Sequence, residues 1–146
     1  MAQLKFSSLA EALPLIGKLE EGSRPAGGWN LSQVFRHLGQ SIAFSMDGFP
    51  RLKPALFRAT IGRLAKARFL RAGTMNHTLD APIPGAPELR ADEPLAQARA
   101  YLIEQIKRLQ GHSGPLQPHF AYGPLSRPEL EQLQAMHIAN HLQAFQ

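Results

Sequence analysis

The chain of 146 residues contains no cysteine. That absence removes disulfides, thiolate metal ligands and a cysteine nucleophile, so any metal must be held by histidine and carboxylate side chains. Long apolar runs are missing too: none approaches the roughly 20 residues that a membrane-spanning helix needs, so no membrane partner is expected. Sustained strand alternation is absent, which points to an all-α class. The opening residues, Met1-Ala2-Gln3-Leu4-Lys5-Phe6, carry one cation and no apolar stretch. They are unlike a secretory signal, and a cytoplasmic location is expected. Acidic residues are lacking in one place, between Asp47 and Asp80, where Arg51, Lys53, Arg58, Arg63, Lys66, Arg68 and Arg71 accumulate.

The 44% hydrophobic and 18% charged content is ordinary for a globular protein, and the length suits one domain over residues 1–146. Apolar residues at three-and-four spacing predict five helical segments. The first runs from about Ser8 to Glu21, with Leu9, Leu13, Ile16 and Leu19 on one side and Pro14 kinking or dividing it. Glycine and proline over residues 22–28 then break the chain. A second begins after an Asn30 cap with Gln33 three residues on, and turns Leu31, Val34, Leu38 and Ile42 inward. A third, from Pro54 to near Gly73, carries the cations together with Leu56, Phe57, Ile61 and Leu64 and reads as a basic amphipathic helix. Residues 74–92, with Pro82, Pro84, Gly85 and Pro87, read as an extended crossover. A fourth helix follows an Asp92 cap, with Leu95, Ala98, Leu102, Ile106 and Leu109 as its core face and Gly111 as its stop. The last opens with a capping box, Ser126 to Glu129.

The last helix also carries the most informative feature, His137 and His141. Residues four apart face the same way with a rise of about 6 Å, so both rings can reach one ion. The stripe Leu130, Leu133, His137, His141 and Ala144 puts both histidines where leucine would be expected in a core. An imidazole there needs a backbone partner, a wet edge or a metal, because an unsatisfied buried polar group costs about 1–3 kcal/mol. Glu is missing after the first histidine, where Ile138 stands, so the zinc-peptidase helix motif does not apply. Of the other histidines, His37 alone falls inside a predicted helix beside an apolar stripe; His77, His112 and His119 fall in loops. Three imidazoles with one position open would suit zinc, nickel or a similar divalent ion in a catalytic arrangement.

Trp29-Asn30-Leu31-Ser32-Gln33-Val34-Phe35-Arg36-His37-Leu38 with Ser41 to Pro50, and Phe120 to Ser126 with His137 to Phe145, together resemble an uncharacterised family within the DinB-like superfamily. That resemblance covers nearly the whole chain. It implies a four-helix bundle with an extra helical segment, a homodimer, and a divalent metal on His37, His137 and His141. Better-understood members of the superfamily are similar to low-molecular-weight-thiol S-transferases and a thiol-dependent isomerase. The resemblance therefore implies a small-molecule substrate and a borrowed thiol such as glutathione. A metal-dependent hydrolase, with Asp47 as the nearest candidate base, and a non-catalytic binding or stress-response module are the alternatives. The chain departs from the family pattern with Asn140 where a further histidine often stands, and with Pro118-His119 where a His-Pro pair would precede the Phe-Gly turn. His119 and Asn140 are left without an assigned role. The seven clustered cations come without base-reading or stacking residues, so nucleic acid is not expected as a partner.

Overall fold

The computed structural model describes residues 2–22, 28–76 and 78–146. Most of the first chain break, and His77, lie outside the described residues. Helix α1 spans Leu9–Lys18, opened by the Ser8 hydroxyl accepting from the Glu11 N–H at 3.3 Å. It stops short of the expected Glu21, and Pro14 stands in its interior without dividing it. Leu9, Ala12 and Ile16 form its buried side.

Helix α2, Leu31–Asp47, is closed at its start by the reciprocal Asn30–Gln33 capping box expected from the sequence. It lies deep in the molecule, with Leu31, Phe35, Leu38 and Ile42 sealed from solvent and the polar Ser41 and Ser45 buried beside them. Helix α5, Leu95–Gln110, buries Ala98, Leu102, Ile106 and Leu109 against it. The expected Asp92 cap is corrected: Pro94 stands at the cap position with no side-chain bond, and Asp92 instead pairs with Arg90 at 3.0 Å. Helix α6, Arg127–Leu142, starts at the Ser126–Glu129 capping box and passes into a 3₁₀ turn over Gln143–Phe145. Leu130, Leu133, Ala135, Met136, Ile138 and Leu142 are all buried, so this helix is enclosed on more than the one stripe expected. Helices α1, α2, α5 and α6 share one core, and α6 also contacts the helix over Arg63–Ala72.

The basic segment is helical between Pro54 and Gly73 as expected, but in three pieces: α3 (Ala55–Phe57), a π turn (Arg58–Gly62) and α4 (Arg63–Ala72). Its expected apolar face is not a core face. Leu56, Ile61 and Leu64 are 76%, 60% and 72% exposed. For Leu64 the cause is the π turn, which takes one extra residue per turn and so rotates α4 after it by roughly a quarter turn; Leu56, before that turn, is exposed on α3 itself. Of the expected face only Phe57 is shielded, and beyond it Gly62, Ala65 and Phe69 are the shielded positions. Gly62 fixes this phase, because a Cβ there would lie 1.7 Å from the carbonyl oxygen of Ala121.

Between α4 and α5 the described residues form neither helix nor strand, though Met75 and Ile83 are buried. The described residues are all-helical apart from turns and one isolated bridge between His119 and Gly123. Among the described residues no helix is long and apolar enough to cross a membrane.

Gly62→Ala should destabilise the protein by about 1–3 kcal/mol in urea unfolding, the usual cost of overpacking, despite alanine's better helix propensity. Gly17→Ala in α1, where a Cβ would meet nothing within 4 Å, is the control and should be neutral or stabilising.

Candidate metal centre

The capping box at Asn30 starts α2 so that His37 falls on its side facing α6, where His137 and His141 stand one turn apart. The ring nitrogens of the three can be chosen to lie within 4.8 Å of one another. Nε2 of His37 is 3.2 Å from Nε2 of His137. Two nitrogens bound tetrahedrally to one zinc ion at about 2.0–2.1 Å would be about 3.3 Å apart, so this pair already has a ligand-pair spacing. The rings meet edge-on, with centroids 4.8–5.0 Å apart and planes 60–75° from parallel. Such an arrangement aims nitrogens at a common point and avoids stacking faces. Trp29, just before α2, closes the inner side, tilted against His37 at 4.9 Å and stacked on His141 at 6.3 Å.

His37 and His141 are 3% and 1% exposed, whereas His137 is only half-buried. The expectation that both members of the α6 pair lie in the core is corrected for His137. Its place is on the wall of a cavity of about 360 Å³, which also reaches His37 but not His141. The three-histidine cluster therefore has a closed side at Trp29 and His141 and an open side toward the cavity.

Gln134 holds the two histidine-bearing helices in register. Its amide on α6 donates to the Ser41 carbonyl at 3.3 Å and to the Ser41 and Ser45 hydroxyls at 3.0 and 3.4 Å, all on α2 and all buried. Apolar residues, Met75, Ile83, Leu130 and Leu133 among them, form much of the cavity wall. Lys53 is the one cationic residue among the described lining residues, and none of them is acidic.

Sequence reasoning left His119 in a loop without a role. The structure places it on the wall of the cavity that His37 and His137 also line. Its apolar surroundings push its pKa down to about 3, and burial pushes that of Tyr122, stacked on it at 4.2 Å, up to about 12. The signal that could have found His119 is the pair of aromatic residues after it, Phe120 and Tyr122, ahead of Gly123, the left-handed residue at φ +77° that ends the turn.

Asp47 does not serve the site. Both its oxygens accept from the Arg108 guanidinium, which holds its carboxyl below the usual range, and it is absent from the cavity lining. His112 remains in its loop, with Nε2 3.2 Å from the Pro115 carbonyl. Asn140 lies on the wall of a different cavity, with Met136 and Gln143. The basic interval is partly engaged internally: Arg58 donates to the Lys53 carbonyl at 2.9 Å and Lys66 pairs with Glu129 at 3.4 Å.

Fold and site define an all-helical protein with three clustered histidines that could hold a metal ion, opening on a cavity. Over residues 1–146 the chain matches the family described as Protein of unknown function (DUF1569), and it belongs to that family. No curated protein and no solved structure matches it.

Replacing His37, His137 or His141 with Ala should abolish stoichiometric zinc or nickel binding in protein purified without a metal-affinity tag, while His112→Ala should leave it intact. Elemental analysis decides, and equal metal content in all four variants would rule the triad out.

His119 also makes a prediction about acid. Its folded pKa of about 3 lies below the ordinary 6.5, so the unfolded chain takes up the proton first. The resulting stabilisation is complete above pH 6.5 and is lost as pH falls toward 3. Between pH 6.5 and 4 the loss should reach at most about 3 kcal/mol. His119→Phe should flatten that limb of the urea-unfolding profile relative to the wild type.

Proposed function

We propose that His37, His137 and His141 hold one divalent ion, zinc or nickel, and that residues 1–146 act as a single cytoplasmic domain. In this reading α1, α2, α5 and α6 form a DinB-like four-helix bundle. Its activity is that of a metal-dependent transferase using a low-molecular-weight thiol such as glutathione on a small-molecule substrate. The observation that carries the reading is the 3.2 Å spacing of the His37 and His137 nitrogens beside an accessible cavity. Such an ion, when bound, supplies a charge that lowers the pKa of a thiol or a water placed beside it.

The chain's own residues supply the rest. Trp29 and the buried His141 shut one side of the cluster, so a reactant approaches from the cavity past His137. The apolar wall of Met75, Ile83, Leu130 and Leu133 keeps that approach dry and favours an apolar acceptor. Lys53 gives an acidic thiol a counter-charge on the same wall. With no cysteine in the chain, the sulfur has to come from outside. A hydrolase would want a carboxylate base at the cavity, and no acidic residue is among its described lining residues. That favours the thiol reading over hydrolysis.

Cobalt-substituted protein tests the proposal. Addition of glutathione should produce a new near-ultraviolet sulfur-to-cobalt band, and Lys53→Ala should weaken the thiol's apparent affinity without removing the band. An unchanged spectrum with glutathione and with several other small thiols would discard thiol chemistry and leave a hydrolase or a non-catalytic binding module.

A further inference from the structure

A second polar group is built into the same cavity with as much care as the triad. The turn that carries His119 is pinned at several points: the Gln117 N–H donates to the Ser45 carbonyl at 2.8 Å, the Lys53 N–H to the Phe120 carbonyl at 2.8 Å, and His119 and Gly123 exchange backbone bonds at 2.9 and 3.1 Å. Gly62 of the π turn lets the Ala121 carbonyl settle against it. Within this frame the His119 ring lies flat on Tyr122, 4.2 Å away with the planes 10° apart, and is flanked by Phe120 at 4.5 Å and Phe49 at 5.1 Å.

The ring's tautomer follows from its hydrogen bonds. Nδ1 accepts from the backbone N–H groups of Ala121 at 3.0 Å and Tyr122 at 3.1 Å. A nitrogen that accepts two N–H groups carries no proton, so in the neutral ring the proton is on Nε2. The aromatic enclosure keeps the ring neutral. Nδ1 is turned to the backbone, Tyr122 covers a face, and among the described residues nothing pairs with Nε2. The edge left for the cavity is the one bearing Nε2–H.

We propose that the cavity binds a compact, largely apolar molecule bearing a carbonyl-type oxygen, and that the Nε2–H of His119 donates to that oxygen. A neutral imidazole donor polarises a carbonyl without placing a second cation beside a metal, and a fixed donor needs no reorganisation as charge develops on the oxygen. His119 is neither a base, since its free lone pair is already engaged, nor a metal ligand. The inference rests on the reading that this cavity is the substrate chamber. It does not require the metal.

Acetophenone labelled with ¹³C at its carbonyl serves as the probe on zinc-loaded protein, read by infrared difference spectroscopy and calorimetry. The wild type should bind it and move the carbonyl stretch to lower wavenumber. His119→Gln, whose amide nitrogen can take the place of Nε2, should keep the displacement. His119→Phe should bind with affinity within about threefold and lose it, and Leu133→Trp, which fills the chamber, should lose binding by tenfold or more. Nitrogen-15 NMR of the histidines should show the His119 proton on Nε2 between pH 5 and 8. No binding to the wild type, an undiminished displacement in His119→Phe, unaltered binding in Leu133→Trp, or the opposite tautomer would each overturn the proposal. Failure of the metal reading looks different: His137→Ala and the wild type would hold equal metal, and the carbonyl displacement would stay in place in both.

Discussion

Everything at the site depends on the contact between α2 and α6. Three histidines from two helices nearly a hundred residues apart in sequence come together only if those helices keep one axial register. Apolar packing alone tolerates sliding, since Leu, Ile and Met fill one another's places at modest cost. A buried amide does not tolerate it. Gln134 reaches across to a carbonyl and two hydroxyls on α2, and a shift of one turn would strip its buried amide N–H of those acceptors at about 1–3 kcal/mol. The polar residues in the core thus set the geometry, while the surrounding leucines and isoleucines supply the driving force.

The same division explains what could be read from the sequence. Capping boxes at Asn30 and Ser126 are local devices with local signatures, and both stand where they were expected. The histidine pair was legible because four-residue spacing is a property of one helix, and His37 because it sits on a strongly patterned helix. Gln134, Ser41 and Ser45 escaped notice because nothing local distinguishes a buried polar residue from an exposed one. His119 escaped for a related reason: its role depends on Tyr122 and Phe49 closing around it and on backbone N–H groups aimed at Nδ1, and neither shows in composition. Asp92 was misjudged because a plausible capping residue competes with its neighbours, and Arg90 won it.

The basic interval between Asp47 and Asp80 illustrates how a charge run divides once folded. Arg58 and Lys66 are drawn into internal bonds, and Lys53 comes to line the cavity. Its Leu64 stays in water because helical phase was altered upstream, at the π turn. A periodicity argument assumes an unbroken period, and a single π turn violates that assumption invisibly.

That π turn has a genetic corollary. One surplus residue inside a helix is geometrically what a single-codon insertion leaves behind. Its converse is that excising one residue from 58–62 would restore a regular helix of equal contour on the α3 side while swinging the whole of α4 about its axis. Length variation in relatives at this point would therefore be read out as rotation of a surface, with the cavity wall at Ala121, packed against Gly62, as the part that resists it.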